Sequence, residues 1–278
     1  MVGKGIYGKR GLMGVISINS LPQGFEKFLN KADNPDKKYN PDAYEHCVKG
    51  DALRIKSYFW ESIDEYLIAI THDESNFDAY RGMGLAYKQI GYIKSAIESL
   101  EKARNIEPFN KCIYNELGCC YTHYNQIDVA IKRFKRALTI DKDYTEAKFN
   151  LAIAHEFADE PQMAIDIYLK IIEDRPSYIA AYNNLASLYM RQEMLTDCIK
   201  YFKKLLHINP DFYRAYLGIA VALDKMNQCK ESVRYYKKYM EYKPNSANAP
   251  YIQDRINEIK KERPVNRKTC LKLVTMSK

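Results

Sequence analysis

No stretch of this 278-residue sequence is apolar for the ~20 consecutive residues that a bilayer-spanning helix needs. The run from Gly11 to Ile18 is too short and too broken by glycine for the core of a secretory signal. No cysteine near the start offers a lipid attachment point, and the C-terminus lacks a prenylation box. The seven cysteines are odd in number and share no recurring spacing, which argues against a disulfide framework and for a reducing compartment. No β-type alternation runs beyond a few residues. There is no triad-like arrangement, no paired-carboxylate motif and no metal-binding helix motif. These absences predict a cytoplasmic, all-α chain without catalytic machinery, cofactor or metal.

What the sequence has is a period. A 34-residue pattern occurs five times in a row with no residue gained or lost. Tyr80, Tyr114, Lys148, Tyr182 and Tyr216 share its first landmark. Three residues on stand Met83, Leu117, Leu151, Leu185 and Ile219, each followed by a small residue: Gly84, Gly118, Ala152, Ala186 and Ala220. A second small residue (Ala96, Ala130, Ala164, Cys198, Ser232) precedes a bulky one (Leu100, Phe134, Tyr168, Phe202, Tyr236). Pro108, Pro176, Pro210 and Pro244 close the units, with Lys142 the exception.

Each unit holds two stretches with apolar residues at i, i+3, i+4 and i+7, the mark of two amphipathic helices. Glycine inside a helix costs about 1 kcal/mol against alanine, so Gly84 and Gly118 point to close approach of a partner helix. The closing proline ends each pair. A period of this length means a solenoid, which grows by stacking and offers a surface for holding other molecules. Tyrosine is abundant at 24 residues. Ten are placed by the pattern at buried landmarks: Tyr66, Tyr80, Tyr87, Tyr114, Tyr121, Tyr168, Tyr182, Tyr189, Tyr216 and Tyr236.

The pattern resembles the tetratricopeptide repeat. The resemblance covers residues 77–246 as units 77–110, 111–144, 145–178, 179–212 and 213–246. Residues 43–76 read as a degenerate first copy, in which Gly50, Tyr66 and Ala69 fit, but Lys49 replaces an aliphatic residue and Glu74 the closing proline. That copy is expected to be helical and less well packed. The resemblance implies a right-handed α-solenoid of stacked antiparallel helix pairs. Families that join these repeats to catalysis add a separate enzyme domain, for which the 74 residues outside the six units leave no room.

Residues 1–42 read as a basic, glycine-containing leader, with a short helix starting near Pro22 and an apolar face of Phe25, Phe28 and Leu29. The leader either folds back into the protein's own groove, or caps the first repeat or stays mobile. Residues 247–263 read as a capping helix with Tyr251, Ile252, Ile256 and Ile259 on one stripe, followed by a basic tail at 264–278. Residues 1–40 carry a net +4 and residues 260–278 a net +6, which leaves the middle at −2 of the total +8.

Three motifs are set aside. Gly3 to Arg10 imitates a phosphate loop, but Arg10 stands where Ser or Thr is required and no strand precedes it. Cys112, Cys119 and His123 share a helix face without a fourth ligand, and packing explains them better than metal. His155 and Lys148 occupy slots meant for aromatic residues and mark a weak point in the stack.

In this family the first helices line the concave face. The resemblance therefore places a partner against Leu85, Lys88, Asn115, Cys119, His123, Phe149, Asn150, Ile153, Phe157, Asn183, Asn184, Met190, Arg191, Leu217 and Val221. Gln89, Glu156, Ser187 and Lys225 belong to the same face. Phe149, Ile153 and Phe157 form an extra apolar stripe that a solvated helix does not need. Asn150 and Asn184 repeat one slot and resemble asparagines that hold peptide backbones. Chaperone adaptors of the family clamp a C-terminal carboxylate, but Glu116 stands where they need asparagine.

The leading expectation is a scaffold or adaptor that binds a peptide or helix in this groove. The alternative is nucleic-acid or anionic-membrane attraction through the basic tails. A third is a regulatory subunit of a separate enzyme.

Overall fold

The computed structural model describes residues 40–261, which form thirteen α-helices and no strand. The leader up to residue 39 and the residues from 262 onward, including the basic tail, lie outside the described residues. Twelve of the helices make six antiparallel pairs. These are α1 (Pro41–Ile55) with α2 (Phe59–His72), α3 (Phe77–Gln89) with α4 (Ile93–Ile106), and α5 (Lys111–His123) with α6 (Ile127–Ile140). They continue as α7 (Thr145–Phe157) with α8 (Pro161–Asp174), α9 (Ile179–Arg191) with α10 (Leu195–Ile208), and α11 (Tyr213–Lys225) with α12 (Cys229–Tyr242). The last helix, α13 (Ala249–Lys261), packs on α12.

Local chemistry sets the ends of these helices. The side chains of Asn40, Asn76 and Asn110 accept backbone N–H groups at the starts of α1, α3 and α5. Between the two helices of every pair, one residue turns the chain in the left-handed region. It is Ser57, Gly91, Asn125, Asp159, Glu193 or Asn227, with φ from 57° to 82°. The six positions fall 34 residues apart. The hydroxyls of Tyr114 and Tyr216 donate to the carbonyls of Pro108 and Pro210, at 2.9 and 3.0 Å, and tie each first helix to the turn before it.

Packing follows the small-and-large pattern. Leu100, Phe134, Tyr168 and Tyr236 are almost fully buried, and burial of each contributes roughly 1.5–3 kcal/mol. The first pair, expected to be loose, closes tightly: Tyr66 has no exposed surface and is wedged between Gly50 and Gly82. The replaced aliphatic there, Lys49, points outward and pairs with Glu45.

Of the ten tyrosines expected inside, Tyr80, Tyr87, Tyr121 and Tyr216 are only half-buried. Lys102 sits over the Tyr80 ring and Arg133 over Tyr121, so these rings carry cations on the surface. His155 is buried with Nδ1 2.5 Å from Glu160, and Lys148 pairs with Asp174 at 3.0 Å, so polar contacts fill both odd slots. The His155 Nε2 is left buried without a hydrogen-bond partner, which is what remains of the expected weak point.

Candidate functional site

Direct contacts join α1 to α3, α5 to α7 and α9 to α11, whereas second helices of neighbouring pairs show no comparable contact. The first helices thus form the inner layer, and their unburied sides line it. On α7 the inner stripe is Phe149, Ile153 and Phe157. On α9 it is Asn183, Asn184, Ser187 and Arg191. Between them lies an open cavity of about 380 Å³ lined by Ile153, Glu156, Phe157, Asn184, Ser187 and Arg191.

Its apolar wall is Ile153 and Phe157, and Phe157 is 66% exposed. Its polar side is tied together through Tyr168, whose ring is buried beneath α7 and whose hydroxyl donates to Glu156 Oε1 at 2.5 Å. Asn184 Nδ2 donates to the same hydroxyl oxygen at 3.2 Å, and Asn183 Nδ2 donates to Asn184 Oδ1 at 3.3 Å. Arg191 Nη2 donates to the other oxygen of Glu156. Burial first, and the Glu156 carboxylate second, push the Tyr168 hydroxyl far above its ordinary value, so it stays protonated as a donor. Arg191 is the exposed partner of its pair and keeps further N–H donors at the rim. This arrangement can hold an apolar side chain and hydrogen-bond a peptide backbone. It contains no nucleophile–base pair.

The other expected site residues are distributed differently. Phe149 does not stand free beside Phe157. It is half-buried, with its ring 5.7 Å from Tyr168 and 5.5 Å from Tyr178. Asn150 donates to Asn115 Oδ1 at 2.9 Å and lies 3.4 Å from Cys119 Sγ, an internal bridge between α5 and α7. Met190, Leu217 and Val221 are half-buried against core clusters. Leu85 and Lys88 are half-buried and His123 is exposed, all outside this cavity.

Glu116 receives Arg81 in a bidentate pair, with Nε 3.0 and 3.1 Å from its two oxygens, so its charge is matched within the protein. Among the described residues, no group of three His, Cys, Asp or Glu side chains could hold a metal. Two features escaped the sequence reading: the Tyr168 hydroxyl beneath the cavity and the Glu156–Arg191 pair across it. Tyrosine in a slot that Leu100 and Phe134 also fill was the available signal, since its polar tip needs a partner when buried. A second, outer depression of about 520 Å³ lies at the turn before α4, between Tyr92 and Tyr124.

Family models described as tetratricopeptide repeat match residues 77–110, 179–212 and 213–246, in the register of the 34-residue pattern. No curated protein matches the sequence. Among solved structures, MamA is 28% identical over 58% of this chain and 94% of that one, with a TM-score of 0.53. PilW, titled a widely conserved type IV pilus biogenesis factor, is 18% identical over 77% of this chain and all of that one, with a TM-score of 0.69. YrrB, titled a TPR protein with an unusual peptide-binding site, is 14% identical over 68% of this chain and 97% of that one, with a TM-score of 0.54. The repeats in the sequence, the stacked helix pairs and these matches agree: the chain is a tetratricopeptide repeat protein, an all-α helical-repeat solenoid.

Proposed function

We propose that this chain is a non-catalytic scaffold that binds an extended or helical peptide of a partner protein along its inner layer, with the cavity between α7 and α9 as the anchor point. The observation that carries the reading is the cavity itself. An exposed Phe157 and Ile153 face a pre-tied polar set of Glu156, Asn184 and Arg191 across an opening large enough for a side chain. Exposed aromatic anchors beside fixed polar groups are the pattern of interface hot spots. Asn184 is oriented by Tyr168 and Asn183, which leaves its amide pre-positioned for a peptide backbone. The solenoid of six pairs keeps this set rigid, so little ordering entropy is spent on binding. YrrB, a chain of the same fold described as having an unusual peptide-binding site, is consistent with this use.

The six described cysteines are all free, which favours a reducing compartment such as the cytoplasm. A single linear peptide is expected to bind at micromolar strength, about 8 kcal/mol. Peptides selected from a random display library on the intact protein test this. Their titration should weaken at least tenfold in Phe157→Ala with Arg191→Ala. Unchanged affinity would exclude the cavity as the anchor.

A further inference from the structure

Among the six second helices α2 alone exposes three large apolar side chains; α8 exposes Met163, α10 exposes Ile208 at its end, and α4, α6 and α12 expose none. The buried side of α2 runs through Ser62, Ile63, Tyr66 and Ala69. On the opposite side Trp60, Leu67 and Ile68 are 52%, 45% and 39% exposed. In steps of 34 residues, the place of Ile68 is taken by Lys102, Arg136, Lys170, Lys204 and Lys238, a cation every time. The place of Trp60 is taken by Lys94, Asp128, Gln162, Thr196 and Lys230. That of Leu67 is polar in every later unit but one, Leu169. An apolar patch where the architecture elsewhere puts lysine marks a surface that something covers.

Charge and connectivity identify the cover. Residues 41–74 carry eight carboxylates against three Lys and Arg, a net −5. Residues 1–40 carry the opposite sign, a net +4. The chain also enters the array beside this face. Asn40 Nδ2 donates to the carbonyl of His72 at the end of α2, at 2.8 Å, one turn beyond Ile68. Upstream, Phe25, Phe28 and Leu29 stand at i, i+3 and i+4, the spacing of one helical stripe. The 11 residues from Leu29 to Asn40 span up to roughly 36 Å when extended. The 14 residues of α2 make a helix about 21 Å long, so that stripe reaches any point along it.

We propose that the segment carrying Phe25, Phe28 and Leu29 docks on the outer face of α2 and covers Trp60, Leu67 and Ile68. The cations of the segment, Lys27 and Lys31, are opposite in sign to Glu61 and Asp64, the exposed carboxylates of α2. The outer face of α2 shares no residue with the inner cavity, so this inference is independent of peptide binding there.

Trp60 is the sole tryptophan, and its ring meets Tyr92 edge-on at 5.3 Å, so its fluorescence reports on this patch and on that contact at its border. In the full chain its emission should be blue-shifted and poorly quenched by acrylamide. Phe25→Ser with Phe28→Ser should shift it to the red and raise quenching at least twofold, with helical circular dichroism unchanged. A tryptophan already open to quencher in the unaltered protein would overturn the proposal. So would shielding that persists in the double variant and grows with protein concentration, which would assign the face to a second copy.

Discussion

Arg255 of α13 grips Asp224 of α11 with two parallel hydrogen bonds, Nε to Oδ2 and Nη2 to Oδ1, both 2.9 Å. Each side chain is only 7% exposed. The Tyr236 hydroxyl also donates to Asp224 at 3.3 Å, and Arg255 Nη1 reaches Glu258 at 3.0 Å. With Ile252 and Ile256 packed on Tyr236 and Tyr239, this pair fixes α13 to the helix pair before it. Removing one member strands a buried charge. Arg255→Ala or Asp224→Ala should cost about 3–5 kcal/mol, read as the shift in urea midpoint. A double-mutant cycle should show strong coupling, and an additive result would contradict the pairing.

Two glycines are required for different reasons. A Cβ on Gly118 would lie 2.4 Å from Cε1 of Phe134, a ring with 1% exposure and no room to move. Gly118→Ala should therefore lose roughly 1–3 kcal/mol, in spite of alanine's better helix propensity. At Gly91 a Cβ meets nothing within 4 Å, but φ is +82°. Gly91→Ala should cost about 1–2 kcal/mol through the backbone alone. Thermal melts of both variants check these figures, and a gain in stability at Gly118 would refute the close approach.

Burial pushes the thiols of Cys47, Cys120 and Cys198 up from 9.0 to about 12. The folded protein holds these protons more tightly than the unfolded chain. Their contribution is therefore complete below about pH 9 and is lost as pH rises from there toward 12, at on the order of 1 kcal/mol per pH unit for each thiol. Buried Tyr66 and Tyr168 add to the loss in the same direction. Urea midpoints should fall steadily above pH 9, and less steeply in Cys198→Ala. A flat alkaline profile would mean that these groups are not buried.

Phe149 and Phe157 lie two turns apart on α7 and should behave differently. Phe149 packs on Tyr168 and Tyr178, so Phe149→Ala should lower stability by about 2 kcal/mol. Phe157 is mostly exposed, so Phe157→Ala should leave the urea midpoint within about 0.5 kcal/mol and act on binding alone. Equal destabilisation by the two would show that Phe157 is a packing residue.

The architecture was legible because packing slots repeat in one register. Gly118 against Phe134 and Gly84 against Leu100 are instances of a single rule that the spacing displays. The turns were partly legible: Asn125, Asp159 and Asn227 tolerate a positive φ, whereas Ser57 and Glu193 give no such sign. The inner stripe on α7 was visible in its spacing, yet nothing local told Phe149 from Phe157. That distinction comes from Tyr178, which reaches α7 from the turn before α9. Asn150 and Asn184 occupy one slot, but one bridges to Asn115 and the other to Tyr168, because their neighbours on adjacent helices differ. Averaging the middle of the chain to −2 also hid the acidic first pair, whose −5 is offset by cations on later second helices.

Site-specific photo-crosslinking tests the binding account most directly. A benzophenone side chain at Ser187, inside the cavity, is compared with one at Lys170, on the outer face of α8. With a library-selected peptide, the account predicts an adduct from position 187 that unlabelled peptide competes away, and none from position 170. Equal crosslinking from both positions, or an adduct from 170 alone, would contradict it.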